Sequence, residues 1–67
     1  MPEMKTIGER LRQLRGNISR KKVAEICGIS VSALAMYENG ERMPRDEVKI
    51  KLAALYGRSV GSLFYTN

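Results

Sequence analysis

Apolar positions along this chain fall into short helical stripes separated by glycine and serine. Met4, Ile7, Leu11 and Leu14 recur at spacings of three, four and three, which marks one face of an amphipathic helix ending near Arg15, before Gly16-Asn17. Ser19 stands where it can cap a second helix, with Ile18 before the cap placed to meet Val23 four residues after it. The same signal returns eleven residues later, where Ser30 is flanked by Ile29 and Leu34, so the second helix has room for only about eight residues. Between the two lies Cys27-Gly28-Ile29, and a glycine just past a helix end enters the left-handed conformation without a Cβ penalty. The spacing therefore predicts two short helices joined by a sharp turn, with small Ala24 giving clearance at their crossing: a helix-turn-helix formed by helices 2 and 3.

Helix 3 should stop at Asn39-Gly40. Beyond Pro44, the positions of Val48, Leu52, Leu55 and Tyr56 predict a fourth helix over 45–56, stopped by Gly57. Ser59 can cap a last short helix carrying Val60, Leu63 and Phe64. The expectation is an all-α chain of five helices forming one domain over residues 1–67, with no strand-like alternation, linker or internal repeat.

Composition narrows the chemistry. The chain has one cysteine, Cys27, and no histidine, so an internal disulfide, a zinc site and Ser-His-Asp or Cys-His catalysis lack their parts. No enzyme activity, metal or cofactor is expected. Apolar runs do not exceed five residues, which gives neither a membrane span nor a secretory h-region and points to a cytoplasmic protein. The net charge of +5 is unevenly placed. Residues 1–22 hold Lys5, Arg10, Arg12, Arg15, Arg20, Lys21 and Lys22 against Glu3 and Glu9, whereas the remainder balances to zero. A local positive field of this kind attracts polyanions, or it simply keeps a helix face solvated.

Position favours the polyanion. On a wheel of helix 3, Leu34 and Tyr37 lie together with Ala33 beside them, leaving Val31, Ser32, Ala35 and Met36 on the outward arc. The second helix of a helix-turn-helix lies in the DNA major groove, so these four are the candidates for reading base edges. Arg20, Lys21 and Lys22 occupy the first turn of helix 2, where the helix dipole disfavours cations. A DNA phosphate bound there, around Ser19, Arg20, Lys21 and Lys22, would use the free backbone N–H groups and the basic side chains together.

These residues resemble the phage repressor/Cro-type (Xre-like) helix-turn-helix regulators. The likeness is carried by Ile7-Gly8-Glu9-Arg10-Leu11-Arg12-Gln13-Leu14-Arg15, by Ser19 with Val23-Ala24-Glu25-Ile26-Cys27-Gly28-Ile29-Ser30, by Tyr37-Glu38-Asn39-Gly40-Glu41-Arg42-Met43-Pro44, and by Ser59-Val60 with Leu63-Phe64. The resemblance implies a five-helix lambda-repressor-like DNA-binding domain, usually a homodimer, that regulates transcription at operator half-sites in double-stranded DNA. It puts Val31, Ser32, Ala35 and Met36 where such proteins read bases. It implies that Arg15 pairs with Glu38, tying helix 1 to the end of helix 3, and that Asn39, Arg42 and Arg45 touch phosphates or a neighbouring groove.

The chain departs from that pattern at four points. Arg20 stands where a glutamine is common, Lys22 replaces an acidic capping-box residue, Arg58 and Gly61 weaken the start of helix 5, and the reading face lacks Gln, Asn or Arg. Val31, Ala35 and Met36 offer apolar contact to thymine methyls and Ser32 a versatile hydroxyl, so T-rich half-sites with modest direct discrimination are expected. For the dimer surface the expected residues are Leu63, Phe64 and Tyr65, with the segment between helices 3 and 4. The leading reading is thus a cytoplasmic, nucleoid-associated repressor with no small-molecule ligand. The alternative is a protein-interaction module whose apolar helix 3 face binds a partner such as a toxin or polymerase subunit.

Overall fold

The computed structural model describes residues 2–66 and is all-helical over them. Its elements are α1 (Met4–Arg15), α2 (Arg20–Cys27), α3 (Val31–Glu38), α4 (Asp46–Tyr56) and a final wide, π-type turn of helix, α5 (Gly61–Tyr65). No helix is long and apolar enough to cross a membrane among the described residues.

The predicted starts of the two central helices are made by serine hydroxyls. Ser19 Oγ accepts from the Lys22 N–H at 3.1 Å and Ser30 Oγ from the Ala33 N–H at 3.0 Å. Each satisfies one of the orphan donors at a helix start, for about 1 kcal/mol. Between them Gly28 adopts φ 67°, ψ 34°, and the Ile29 N–H closes back on the Ala24 carbonyl at 3.0 Å. This left-handed stop reverses the chain within three residues and sets α3 across α2. At the other end, Ser59 Oγ accepts from the Ser62 N–H at 3.0 Å.

One core joins all five helices: Ile7 and Leu11 of α1, Val23 and Cys27 of α2, Leu34 and Tyr37 of α3, Leu52 and Ala53 of α4, and Leu63 and Phe64 of α5. Two expected contributors fall short, since Met4 and Ile18 remain largely exposed. A charged residue takes part instead. Lys49 of α4 is only 5% exposed. Its ammonium donates to Tyr65 Oη at 2.7 Å and lies 4.7 Å from the Tyr65 ring centre and 5.7 Å from that of Phe64. The cation-π contacts and this hydrogen bond replace much of the water the lysine gives up, and they fasten the C-terminal turn onto α4.

That fastening bears on the residues expected at a dimer surface. Leu63 and Phe64 are buried in the chain's own core. The wide turn sends both side chains inward, and Arg10 of α1 clamps it by donating to the Leu63 carbonyl at 3.1 Å. Of the three, Tyr65 alone keeps substantial exposed surface.

Tyr56 supplies a pH-dependent feature. Its Oη is buried without a hydrogen-bond partner among the described residues, and burial, followed by the nearby Glu38 carboxylate, pushes the phenol up to about 12. The folded state thus prefers the neutral phenol more strongly than the unfolded chain does. This contribution is intact below pH 10.0 and is lost as pH rises toward about 12. Tyr56→Phe removes an unpaired hydroxyl, so it should stabilise the fold by up to about 1 kcal/mol and reduce the alkaline loss. Urea denaturation at neutral pH and at about pH 11 tests both expectations.

Candidate functional site

The site is assembled around the last residue of α3. Glu38 has a side chain with 0% exposure, and a carboxylate so placed must be paired. Arg15, at the end of α1, donates through Nε to Oε2 at 2.7 Å and through Nη2 to Oε1 at 3.0 Å. Its Nη1 donates to the Ile18 carbonyl at 2.8 Å, which also pins the connection from α1 to α2. The hydrogen bond to Glu38 is the main reason that the Arg15 guanidinium holds its proton more tightly than usual. Arg20, the first residue of α2, adds a third strut by donating from Nε to Oε1 at 3.0 Å. One carboxylate therefore fixes three helices.

Backbone packing permits this convergence. Gly8 of α1 lies buried directly against the Tyr37 and Glu38 carbonyls, where even a methyl group would collide with main-chain atoms. The two helices approach this closely because position 8 has no side chain.

The outward arc of α3 matches the wheel with one adjustment. Val31 is 45% and Met36 41% exposed, Ser32 is exposed, and Ala35 is half-buried. With Leu34 and Tyr37 buried on the opposite side, α3 is apolar on both faces but covered on only one. A helix apolar all round is ordinarily buried, so the exposed outer face of α3 is the candidate contact surface.

The basic residues divide into two groups. Among the seven of the first third, Arg10 is spent on the carbonyls of Ser62 and Leu63, Arg12 on Asn39 Oδ1 at 2.8 Å, and Arg15 and Arg20 on Glu38. The density of positive charge read from the sequence is thus partly internal wiring. Lys5, Lys21 and Lys22 are exposed and make no ion pair among the described residues. Asn39 is exposed but engaged by Arg12, and Ser19 spends its oxygen on its own helix.

A second cluster of cations lies beside α3. Arg42, Arg45 and Lys51, with the carboxylate of Glu47 among them, line a groove with Ser30, Ala33 and Tyr37, where the helix-turn-helix meets the start of α4. Arg45 is the capping residue before α4 rather than its first turn, which leaves its side chain exposed. Cations therefore stand on two sides of α3: Arg20 beside Glu38 at its C-terminal end, and Arg42, Arg45 and Lys51 in the groove along Ser30, Ala33 and Tyr37. The Arg20–Glu38 contact and the role of Gly8 were invisible in local patterns. Lys51, outside the expected set, lies one turn before Leu55 on α4 and gave no distinguishing signal.

Among the described residues, no cluster of three or more potential metal ligands occurs. In comparison with known proteins, residues 9–63 match the helix-turn-helix family. No curated protein matches the chain.

Proposed function

Because the chain belongs to the Xre/lambda-repressor-like helix-turn-helix family, a family of DNA-binding regulators rather than enzymes, we propose that it is a sequence-specific repressor that inserts α3 into the major groove as a homodimer. The observation that carries this reading is the uncovered face of α3 on a helix with cations on two of its sides. A helix lying in the groove has a phosphate backbone on either side, and phosphate contacts fix register while base contacts specify. Val31, Ser32, Ala35 and Met36 read the bases. Ser19, Arg20, Lys21, Lys22, Asn39, Arg42 and Arg45 hold the backbone, Ser19 and Asn39 through groups their internal bonds leave over.

The reading face is built of apolar side chains and one hydroxyl, so thymine methyls are its natural partners and the half-sites are T-rich. A single module touches few base pairs, and two-fold symmetry doubles the site at a spacing of about 34 Å. Exposed Tyr65 and Ile50 are the apolar groups available to a second copy on the α4 and C-terminal side. The protein acts on double-stranded operators in the cytoplasm, in association with the nucleoid, as one domain over residues 1–67, and needs no cofactor or small-molecule ligand. The competing use of α3 as a protein-docking face shares the apolar arc but gives no purpose to the flanking cations.

Met36→Ala and Ser32→Ala should change which sequences bind, with a loss of about 1 to 3 kcal/mol on the preferred site and little change on random DNA. Lys21→Ala should instead weaken all sequences alike. Parallel anisotropy titrations on selected and random duplexes separate the two classes. Equal losses for Met36→Ala on both would remove it from the reading face.

A further inference from the structure

Two guanidinium groups meet one carboxylate at Glu38, which leaves a surplus positive charge. That surplus is not shared evenly with solvent. Arg15 has committed Nε, Nη1 and Nη2 to Glu38 and Ile18, and its side chain is 15% exposed. Arg20 has committed Nε alone, and its side chain is 35% exposed. Its Nη1 and Nη2 groups have no protein acceptor among the described residues.

A guanidinium is planar, so a hydrogen bond at Nε restricts the direction in which the other two nitrogens point. They project from the first residue of α2, next to exposed Lys21 and Lys22. The Ser19 cap serves the Lys22 N–H, leaving the N–H groups of Arg20 and Lys21 beside the same spot. We infer that Glu38 is a positioning residue for phosphate binding: by holding Nε of Arg20, it presents the two Nη groups as a fork for one backbone phosphate of the DNA. This inference rests on the proposed function and assigns one of its contacts.

Lysine separates this role from simple charge. In Arg20→Lys the charge is kept, but a single ammonium cannot both pair with Glu38 and grip a phosphate with planar geometry. Glu38→Gln makes the protein more positive, which by bulk electrostatics should tighten DNA binding; replacing the charge-assisted Nε anchor with a neutral amide should loosen it. The probe is a fluorescein-labelled duplex of mixed sequence, titrated at several salt concentrations where circular dichroism shows each variant folded. Arg20→Lys and Arg20→Ala should both bind roughly tenfold more weakly than the wild type, and Arg20→Ala should lower the salt slope by about 0.9. Glu38→Gln, where it folds, should also bind more weakly.

Binding by Arg20→Lys within about twofold of the wild type, an unchanged salt slope in Arg20→Ala, or tighter binding by folded Glu38→Gln would overturn the inference while leaving DNA binding intact. Absence of wild-type binding at low salt would overturn the proposed function itself and this inference with it.

Discussion

Glu38→Ala should cost about 3 kcal/mol or more of folding free energy and leave much of the protein unfolded at ambient temperature. Removing one partner of a buried ion pair costs about 3 to 5 kcal/mol because the other charge stays behind without compensation. Here two charges stay behind, Arg15 at 15% and Arg20 at 35% side-chain exposure. Arg20 can turn toward water, which places the loss near the lower end of that range; Arg15, enclosed between α1 and the connection to α2, is the costlier of the two. At about 0.05 to 0.15 kcal/mol per residue, a chain of 67 residues has only about 3 to 10 kcal/mol to lose. Urea denaturation followed by circular dichroism checks this, and a loss below about 1 kcal/mol would mean that the three-helix junction contributes little.

Gly8→Ala should destabilise the fold by about 2 to 3 kcal/mol, although alanine is the better helix former by about 1 kcal/mol. The new Cβ would lie 2.7 Å from the Tyr37 carbonyl oxygen and 2.8 Å from the Glu38 carbonyl carbon, and closer still to the Glu38 oxygen. These are main-chain atoms at the end of α3 and cannot rotate away, so the clash outweighs the propensity gain. Relief requires α1 and α3 to separate, which also pulls Arg15 from Glu38. Chemical denaturation gives the size of the effect, and a Gly8→Ala protein as stable as the wild type would show that the two helices can slide apart freely.

Much of this architecture is written locally. Ser19 and Ser30 cap the helices they precede, and Gly28 turns the chain because hydrogen bonds within a few residues decide those features. The outer arc of α3 followed from its wheel because Leu34 and Tyr37 could serve one side only. Long side chains crossing between helices were not legible in local patterns, and the Arg15–Glu38 pair was implied only by the family resemblance. Arg20 and Glu38 are 18 residues apart, Arg10 reaches a carbonyl 53 residues on, and Lys49 is buried where its charge argued for solvent. The need for glycine at position 8 was not legible because its reason lies in the backbone of α3. Leu63 and Phe64 carry the same apolar signal whether they close a monomer or join two copies, and only packing distinguishes these outcomes.

The most direct test of the account is a fluorescence anisotropy titration of the purified protein against a pool of random duplexes at several salt concentrations, with the bound sequences recovered and read. The account predicts enrichment of a palindromic, T-rich motif with half-sites about one helical turn apart, and affinity that falls steeply as salt rises. Salt-sensitive binding with no enriched sequence would contradict sequence-specific repression, and no binding at low salt would contradict DNA recognition and turn the uncovered face of α3 over to a protein partner.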